Sequence, residues 1–344
     1  MVVDEMAVAC VAGQVGTRLV DHTDDLTALD SRGRWIVVID FDGAAQCLRF
    51  AEWRSGSPAQ VAGTWVGPPQ DSYRTSLSEV EYVAAVECVR EGIADGTLYQ
   101  ANICRVMSAT VPDPSRSDIL GLAALLERHN PAPYSSCVRA PSLAIEIASA
   151  SPELYLGREG STIQSGPIKG TGRTAADLSA KDRAENIMIV DLVRNDLGRI
   201  AIPGSVTVPS LLRIEEHPTV VHLVSTVSAT LRDGIGWREV VAATFPPGSV
   251  SGAPKFTALQ MITELEPVER GPYCGAIGLV DADTKQATLA VGIRTFWLSG
   301  DGLRKTLNFG TGAGITWGSD PASEWEESEL KARHLTSVAA GEWT

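Results

Sequence analysis

Residues 274–298 read CGAIGLVDADTKQATLAVGIRTFWL. Two runs rich in Val, Ile, Leu and Thr flank a polar stretch, and a second turn, SGDG, leads on to LRKTLNFGTGAG at 303–314. Apolar runs bounded by Gly, Asp and Ser clusters are strands, and connections this short return the chain antiparallel rather than through a crossover helix. The same pattern recurs upstream in RWIVVIDF (34–41) and QCLRFAEW (46–53), joined by a turn containing Asp42 and Gly43, and in LYQANICRVMSATV (98–111), SLAIEIAS (142–149), STIQSGPIKG (161–170) and TVVHLVSTVSATL (219–231). Between them lie helical patterns. In SLSEVEYVAAVECVREGIADG (76–96), Ser78 and Glu81 have capping-box spacing while Tyr82, Val86, Val89 and Ile93 share one face. ILGLAALLERHN (119–130), WREVVAAT (237–244), PKFTALQMITELE (254–266) and a final segment from Pro321 to Ala339 complete the set, with a long helix from Asp177. That helix has an N-cap aspartate and is apolar nearly all round between Ile187 and Val193, which predicts a buried helix. Periodic βαβ units are absent. The fold class is α+β, a single large domain of large antiparallel β-sheets packed together and flanked by helices, with residues 1–75 an abbreviated N-terminal part of the same domain and 76–344 the core.

Composition narrows the function. The chain has 344 residues, 44% apolar, and a formal net charge of -13 with no Lys/Arg-rich run. A polyanion is repelled by such a surface, so nucleic acid is not an expected partner. A small anionic ligand would need positive potential built locally. Six cysteines without CxxC spacing argue against a disulfide scaffold and a zinc site, and read as small buried apolar residues. MVVDEMAVACVAG at the start carries early acids and no basic segment, and no run approaches the roughly 18 apolar residues of a membrane span, so the expected location is the cytoplasm.

Several residues could carry chemistry. Asp182 with Glu185, and Glu324 with Glu327, stand at i, i+3 on helices, one face each. Two carboxylates with waters and an anionic substrate make the oxygen shell that Mg2+ favours; a solvated helix face is the alternative. Lys169, between Pro-Ile and Gly-Thr-Gly, is either a surface charge or an amine whose pKa is lowered by desolvation until it acts as a nucleophile. Glu153, on the SPE turn, could supply a proton to a leaving group. PGSVSGAPK (247–255) fails the phosphate-loop pattern because Gly252 is followed by Ala-Pro-Lys. GTGAG (310–314), with Gly312, Ala313 and Gly314, lacks dinucleotide spacing and retains a run of backbone amides able to bind a carboxylate. Arg294 offers a bidentate clamp or a surface ion pair. His222 reads as a satisfied core histidine, or as a hydroxyl-holding one at a strand edge.

Taken together, SPELYL (151–156), SGPIKGTGR (165–173), KDRAENIMIVDLVRNDLGRIAIPGSV (181–206), HPTVVHLVSTV (217–227), FPPGSVSGAPKFTALQMITELEPVERGPYCGAIG (245–278), VGIRT (291–295) and GTGAGITWGSDPASEWEESELKARHL (310–335) resemble the chorismate-utilising enzymes, with every block in order. Anthranilate synthases of that family typically carry Pro-Ile-Ala-Gly-Thr where this chain has Lys169; Pro-Ile-Lys-Gly-Thr looks like the aminodeoxychorismate synthases, component I. The resemblance implies Mg2+ held directly by Glu185 and Glu327, with Asp182 and Glu324 supporting through water. It implies chorismate as substrate, with Arg294 and Tyr273 on the enolpyruvyl carboxylate, the GTGAG amides and Lys331 near the ring carboxylate, and Gln100, His222 and Thr171 around the ring. Lys169 would add to C2 while Glu153 assists departure of the C4 hydroxyl, and ammonia would then displace the lysine to give 4-amino-4-deoxychorismate for 4-aminobenzoate and folate. No Cys-His-Glu amidotransferase segment is recognisable, so a glutamine amidotransferase subunit is the implied ammonia source. GTGRTAADLSAKD is shorter than the Pro/Arg-rich loop of many relatives, Ser328 stands where threonine is common, and a Leu-Leu-Glu-Ser-like motif is not found, which makes feedback by tryptophan unexpected.

Overall fold

Short polar turns return strand after strand beside its neighbour. The computed structural model of the chain describes residues 4–172, 174–216, 221–302 and 304–342. Arg173, the start of the strand reading at 219–220, and Leu303 lie outside the described residues.

The strands are β1 (Asp4–Val11), β2 (Gln14–Thr23), β3 (Arg34–Ile39), β4 (Ala45–Ser55), β5 (Arg74–Thr75) and β6 (Gln100–Thr110). There follow β7 (Tyr134–Ala140), β8 (Ile145–Ser151), β9 (Leu154–Glu159), β10 (Thr162–Gly166), β11 (Ile168–Gly172) and β12 (Thr207–Glu216). The last are β13 (Val221–Thr230), β14 (Gly252–Ala253), β15 (Ala276–Asp281), β16 (Gln286–Val291), β17 (Thr295–Asp301) and β18 (Arg304–Ile315). Six α-helices are described: α1 (Glu79–Ala94), α2 (Ile119–His129), α3 (Ala180–Gly198), α4 (Trp237–Thr244), α5 (Lys255–Leu265) and α6 (Pro321–Ala340).

All the strand pairs are antiparallel, and they form one ribbon. Followed neighbour to neighbour it runs β12, β13, β10, β9, β16, β15, β3, β4, β2, β1, β7, β8, β17, β18, β6, with β11 also beside β13 and the short β5 and β14 beside β6. The N-terminal strands are built into this ribbon, since β3 pairs with β15 and β1 with β7. The ribbon folds on itself: Ile36, Val38 and Ile277 of one arm share a buried cluster with Val138, Ile145 and Ile147 of the other. Outside the first arm, Ile189, Val193 and Trp237 of α3 and α4 pack with Trp35, Leu156 and Leu289. Outside the second, α2 and α6 cover Phe296 and Phe309, and α1 and α5 cover Ile103 and Ile315. Burying apolar faces on both sides of each arm is what makes a wide antiparallel sheet stable.

Local signals explain the element ends, with five corrections to the sequence reading. The capping box of Ser78 and Glu81 opens α1 as its spacing requires. The long helix starts later than Asp177: Ser179 is its N-cap, Asp182 completes the box, and Asp177 instead closes a separate short turn with Thr174. Nor is α3 buried all round. Ile189, Val190 and Val193 face the core, whereas Ile187 is exposed, because only one side of the helix lies on the sheet. Pro167 divides STIQSGPIKG into β10 and β11, since proline has no N–H for the ladder. Gly292 to Arg294 likewise separates β16 from β17, and Cys88 is exposed while the other cysteines are buried.

Ser179→Ala should therefore cost about 1 kcal/mol, the ordinary worth of an N-cap. Urea unfolding would read it as a lower midpoint at unchanged slope; an unchanged midpoint would mean the cap contributes nothing to seating α3.

Candidate active site

The two ends of the ribbon meet at Lys169. Its strand, β11, lies against β13 with Thr171 opposite His222, and Gly170 follows in a left-handed conformation at φ +90°. A side chain on Gly170 would put its Cβ 2.8 Å from Cβ of Asp182, so glycine lets the start of α3 close onto β11. From the other end of the ribbon comes Gly314 of β18. A Cβ there would lie 2.8 Å from Nε2 of Gln100, 3.0 Å from Oδ1 of Asn102 and 3.0 Å from Nζ of Lys169. The missing side chain leaves room for these three polar ends around one point.

Desolvation shifts both members of the central pair, although the residue Lys169 is only half-buried where Glu153 is buried. Desolvation lowers the pKa of Lys169, and Lys331 acts in the same direction, against the opposing pull of Glu185, Glu153 and Glu327. Glu153 is 4% exposed, and desolvation raises its pKa to about 7 despite the Ser249 hydroxyl, Lys169 and the Ile168 amide. A cavity of about 20 Å3 beside Glu153, lined in part by Ser165, Ser249, Thr244 and Asp196, has room for one water. An amine pushed toward neutrality thus stands near a carboxyl group that keeps its proton close to neutral pH.

Acids from α3 and α6 face this pair. Glu185 is largely buried, desolvation raises its pKa, and its Oε1 accepts no hydrogen bond. Glu324 is buried, and Lys181 reaches both acids, with Nζ 3.2 Å from Oε1 of Glu324 and 3.8 Å from Oε1 of Glu185. Glu327 pairs with Lys331 at 2.6 Å, and Lys331 also donates to the Gly312 carbonyl at 3.2 Å. Asp182 is turned back on its own helix, where Oδ2 accepts from the Ser179 amide and hydroxyl, both at 2.7 Å. Helix capping thus occupies a carboxylate that the i, i+3 spacing assigns to the Glu185 face.

The structure also places the remaining residues singled out in the sequence. Arg294 takes a left-handed backbone at φ +52°, a strained choice for a non-glycine residue, and its carbonyl accepts from Ala150. Its half-buried guanidinium makes no hydrogen bond or ion pair among the described residues, and burial lowers its pKa. A desolvated, unpaired guanidinium is a carboxylate site in waiting. The GTGAG run is not an exposed loop: Gly312 to Gly314 are in register with Cys104 to Asn102 of β6. Pairing with β17 ends at Phe296 and Phe309, so from Gly310 onward the other edge of β18 is free of a strand partner among the described residues. Gln100 is fully buried, and its Oε1 has no hydrogen-bond partner. His222 is buried with Nδ1 2.9 Å from the Thr171 hydroxyl. Tyr273 turns its hydroxyl onto Sγ of Cys104 at 3.9 Å. Asn102, Lys181 and Ser249 are the residues that sequence reasoning missed; Lys181 alone carried a signal, its i, i+4 spacing to Glu185.

Among the described residues, no three His, Cys, Asp or Glu side chains form a closed metal cage. A site of two carboxylates, completed by water and an anionic ligand, still fits a hard cation such as Mg2+, and the orphaned Oε1 of Glu185 is an oxygen of the required kind.

Glu153 also makes stability depend on pH. Its folded pKa is raised, so its contribution is full below the unfolded value and is lost as pH rises through about 7. Glu153→Gln should remove that loss, so that the gap in melting temperature between variant and wild type widens in the variant's favour from pH 5 to pH 8. A gap independent of pH would contradict the raised pKa.

Comparison with known proteins gives the family and the fold. The model of the chorismate binding enzyme family matches residues 40–337. The chain is 36% identical over 308 residues to anthranilate synthase component 1 1 of Haloarcula marismortui, covering 86% of this chain and 61% of that protein. It is also 36% identical over 320 residues to aminodeoxychorismate synthase component 1 of Klebsiella aerogenes, covering 89% and 67%. The chain therefore spans about two thirds of the length of these relatives. The solved structure of the menaquinone-specific isochorismate synthase from Escherichia coli superposes with a TM-score of 0.80 at 18% identity, over 97% of this chain and 88% of that one, which is a likeness of fold. No described helix is long and apolar enough to cross a membrane. With the family model spanning both arms of the sheet and all the elements that frame Lys169, this chain belongs to the chorismate binding enzymes.

Proposed function

We propose that the chain aminates chorismate at C4 with ammonia, giving 4-amino-4-deoxychorismate through a covalent adduct of Lys169. The observation that carries the reading is the amine of Lys169, desolvated at Gly314 and next to a carboxyl group whose pKa is about 7. Lowering the pKa of a lysine makes its amine more readily available as a nucleophile, and an acid titrating near 7 is suited to protonate a leaving hydroxyl.

Arg294 and the free edge of β18 receive the two carboxylates of the substrate, while Gln100 and the Thr171 and His222 pair bound its ring. Lys169 Nζ forms a bond to C2 as both ring double bonds shift, C1=C2 to C1=C6 and C5=C6 to C4=C5, and the C4–O bond breaks, and Glu153 gives its proton to the departing hydroxide, which leaves as water. Ammonia then bonds to C4, the shift reverses, and the C2–N bond breaks with its electrons returning to Lys169. The new ammonium group loses a proton to Glu153, which restores both residues. The balance is chorismate plus ammonia to product plus water. When bound at Glu185 and Glu327, Mg2+ supplies positive charge to the ring carboxylate. On a chain of net charge -13 that charge is needed locally. Ammonia arrives from a glutamine amidotransferase partner, and the product feeds 4-aminobenzoate and folate synthesis.

Identity to anthranilate synthases is as high as to aminodeoxychorismate synthases, which makes an anthranilate-forming reaction the second reading. Product analysis separates them: incubation with chorismate, Mg2+ and ammonium should give aminodeoxychorismate, whereas fluorescent anthranilate formed without an added lyase would overturn the proposal. Lys169→Ala should lower turnover by about two to four orders of magnitude, as loss of a positioned catalytic group does, while leaving the melting temperature within a few degrees. Unchanged turnover would remove the nucleophile.

A further inference from the structure

Buried carboxylates facing each other across α3 and α6 repel unless a cation stands between them. In this chain that cation is a side chain. Lys181 approaches Glu324 at 3.2 Å and Glu185 at 3.8 Å, and it is 45% exposed whereas the two acids are 5% and 13% exposed. Its stem therefore has a way out to solvent that the carboxylates lack. One turn separates it from Glu185 on α3, so it stays within reach of both acids wherever its head group goes.

We propose that Lys181 is a tethered counter-ion, which holds Glu185 and Glu324 together in the absence of a divalent cation and must swing out before that cation binds. The inference rests on the metal assignment above and deepens it. A divalent ion arriving at Glu185 has to replace an ammonium group that cannot diffuse away, so its affinity for the free enzyme is held down. Binding becomes favourable when a dianionic substrate arrives with its own carboxylate, which couples cation and substrate through one displaced lysine.

Calorimetric titration of MgCl2 into metal-stripped protein without substrate is the test. Lys181→Met should bind Mg2+ about tenfold more tightly than wild type, the factor expected for an ion pair intermediate between exposed and buried limits. Lys181→Arg, which keeps the charge, should stay at the wild-type affinity. In chelator, Lys181→Met should melt below wild type, and Mg2+ should close that gap. Lys181→Gln retains a hydrogen-bond donor for Glu324 and gives the same titration if the apolar variant is too unstable to purify. Measurable binding that is no tighter in Lys181→Met and Lys181→Gln than in wild type overturns the counter-ion role alone. No binding to any of the proteins overturns it together with the metal assignment, while leaving the Lys169 chemistry to its own test.

Discussion

One desolvated amine among carboxylates is the constraint around which the rest of this molecule is arranged. In water Lys169 would be charged at neutral pH, and its acidic neighbours Glu185, Glu153 and Glu327 all favour that charge. Burial outweighs them. It can do so because Gly314 carries no side chain, so that Lys169, Gln100 and Asn102 crowd one point, and because Gly170 lets α3 close over the strand behind. The same exclusion of water raises the pKa of Glu153. One physical cause, loss of hydration, thus moves an amine and a carboxyl group toward their neutral forms, in the opposite sense to a surface ion pair.

The architecture supplies the enclosure. Lys169 belongs to one end of an eighteen-strand antiparallel ribbon and Gly314 to the other, and they meet because the ribbon folds back on a shared apolar layer of Ile36, Val38, Val138 and Ile147. A centre made where two ends of a sheet converge has rigid walls on both sides, and helices α3 and α6 close it with the acids they carry. Charge is managed by proximity: Glu327 has Lys331, Glu324 and Glu185 have Lys181, and Asp182 caps its helix, while Arg294 has no ion pair among the described residues. The negative surface sets no long-range attraction for an anionic substrate, so this short-range arrangement has to provide it.

Much of the fold was legible because its signals are local. Capping residues, turn residues and alternating apolar runs identified α1, α2, α4, α5 and α6 within a residue or two, together with the hairpin of β3 and β4. Where the reading slipped, a local signal competed with tertiary context. Thr174 and Ser179 are both good caps, and an acid stands at the third position after each, Asp177 and Asp182, so that both boxes form, in separate turns. Periodicity near Ile187 could not say which side of α3 the sheet would cover. In the site, the ordered blocks contain Lys169, Glu153, Glu185, Glu327 and Arg294. Spacing could not reveal that Asp182 folds back to cap its helix, that Tyr273 points at Cys104, or that Lys181 spans two helices, since each depends on side-chain direction across elements distant in sequence.

The most direct test of the account is the acidity of Lys169 itself. Competitive labelling of the intact protein with an amine-reactive reagent across a pH series, read peptide by peptide by mass spectrometry, yields a titration midpoint for each lysine. The account predicts that Lys169, once reached by reagent, titrates below the ordinary lysine value of about 10.4. A midpoint at or above that ordinary value would show a normally charged lysine and would contradict the claim that desolvation, acting against three acids, lowers its pKa.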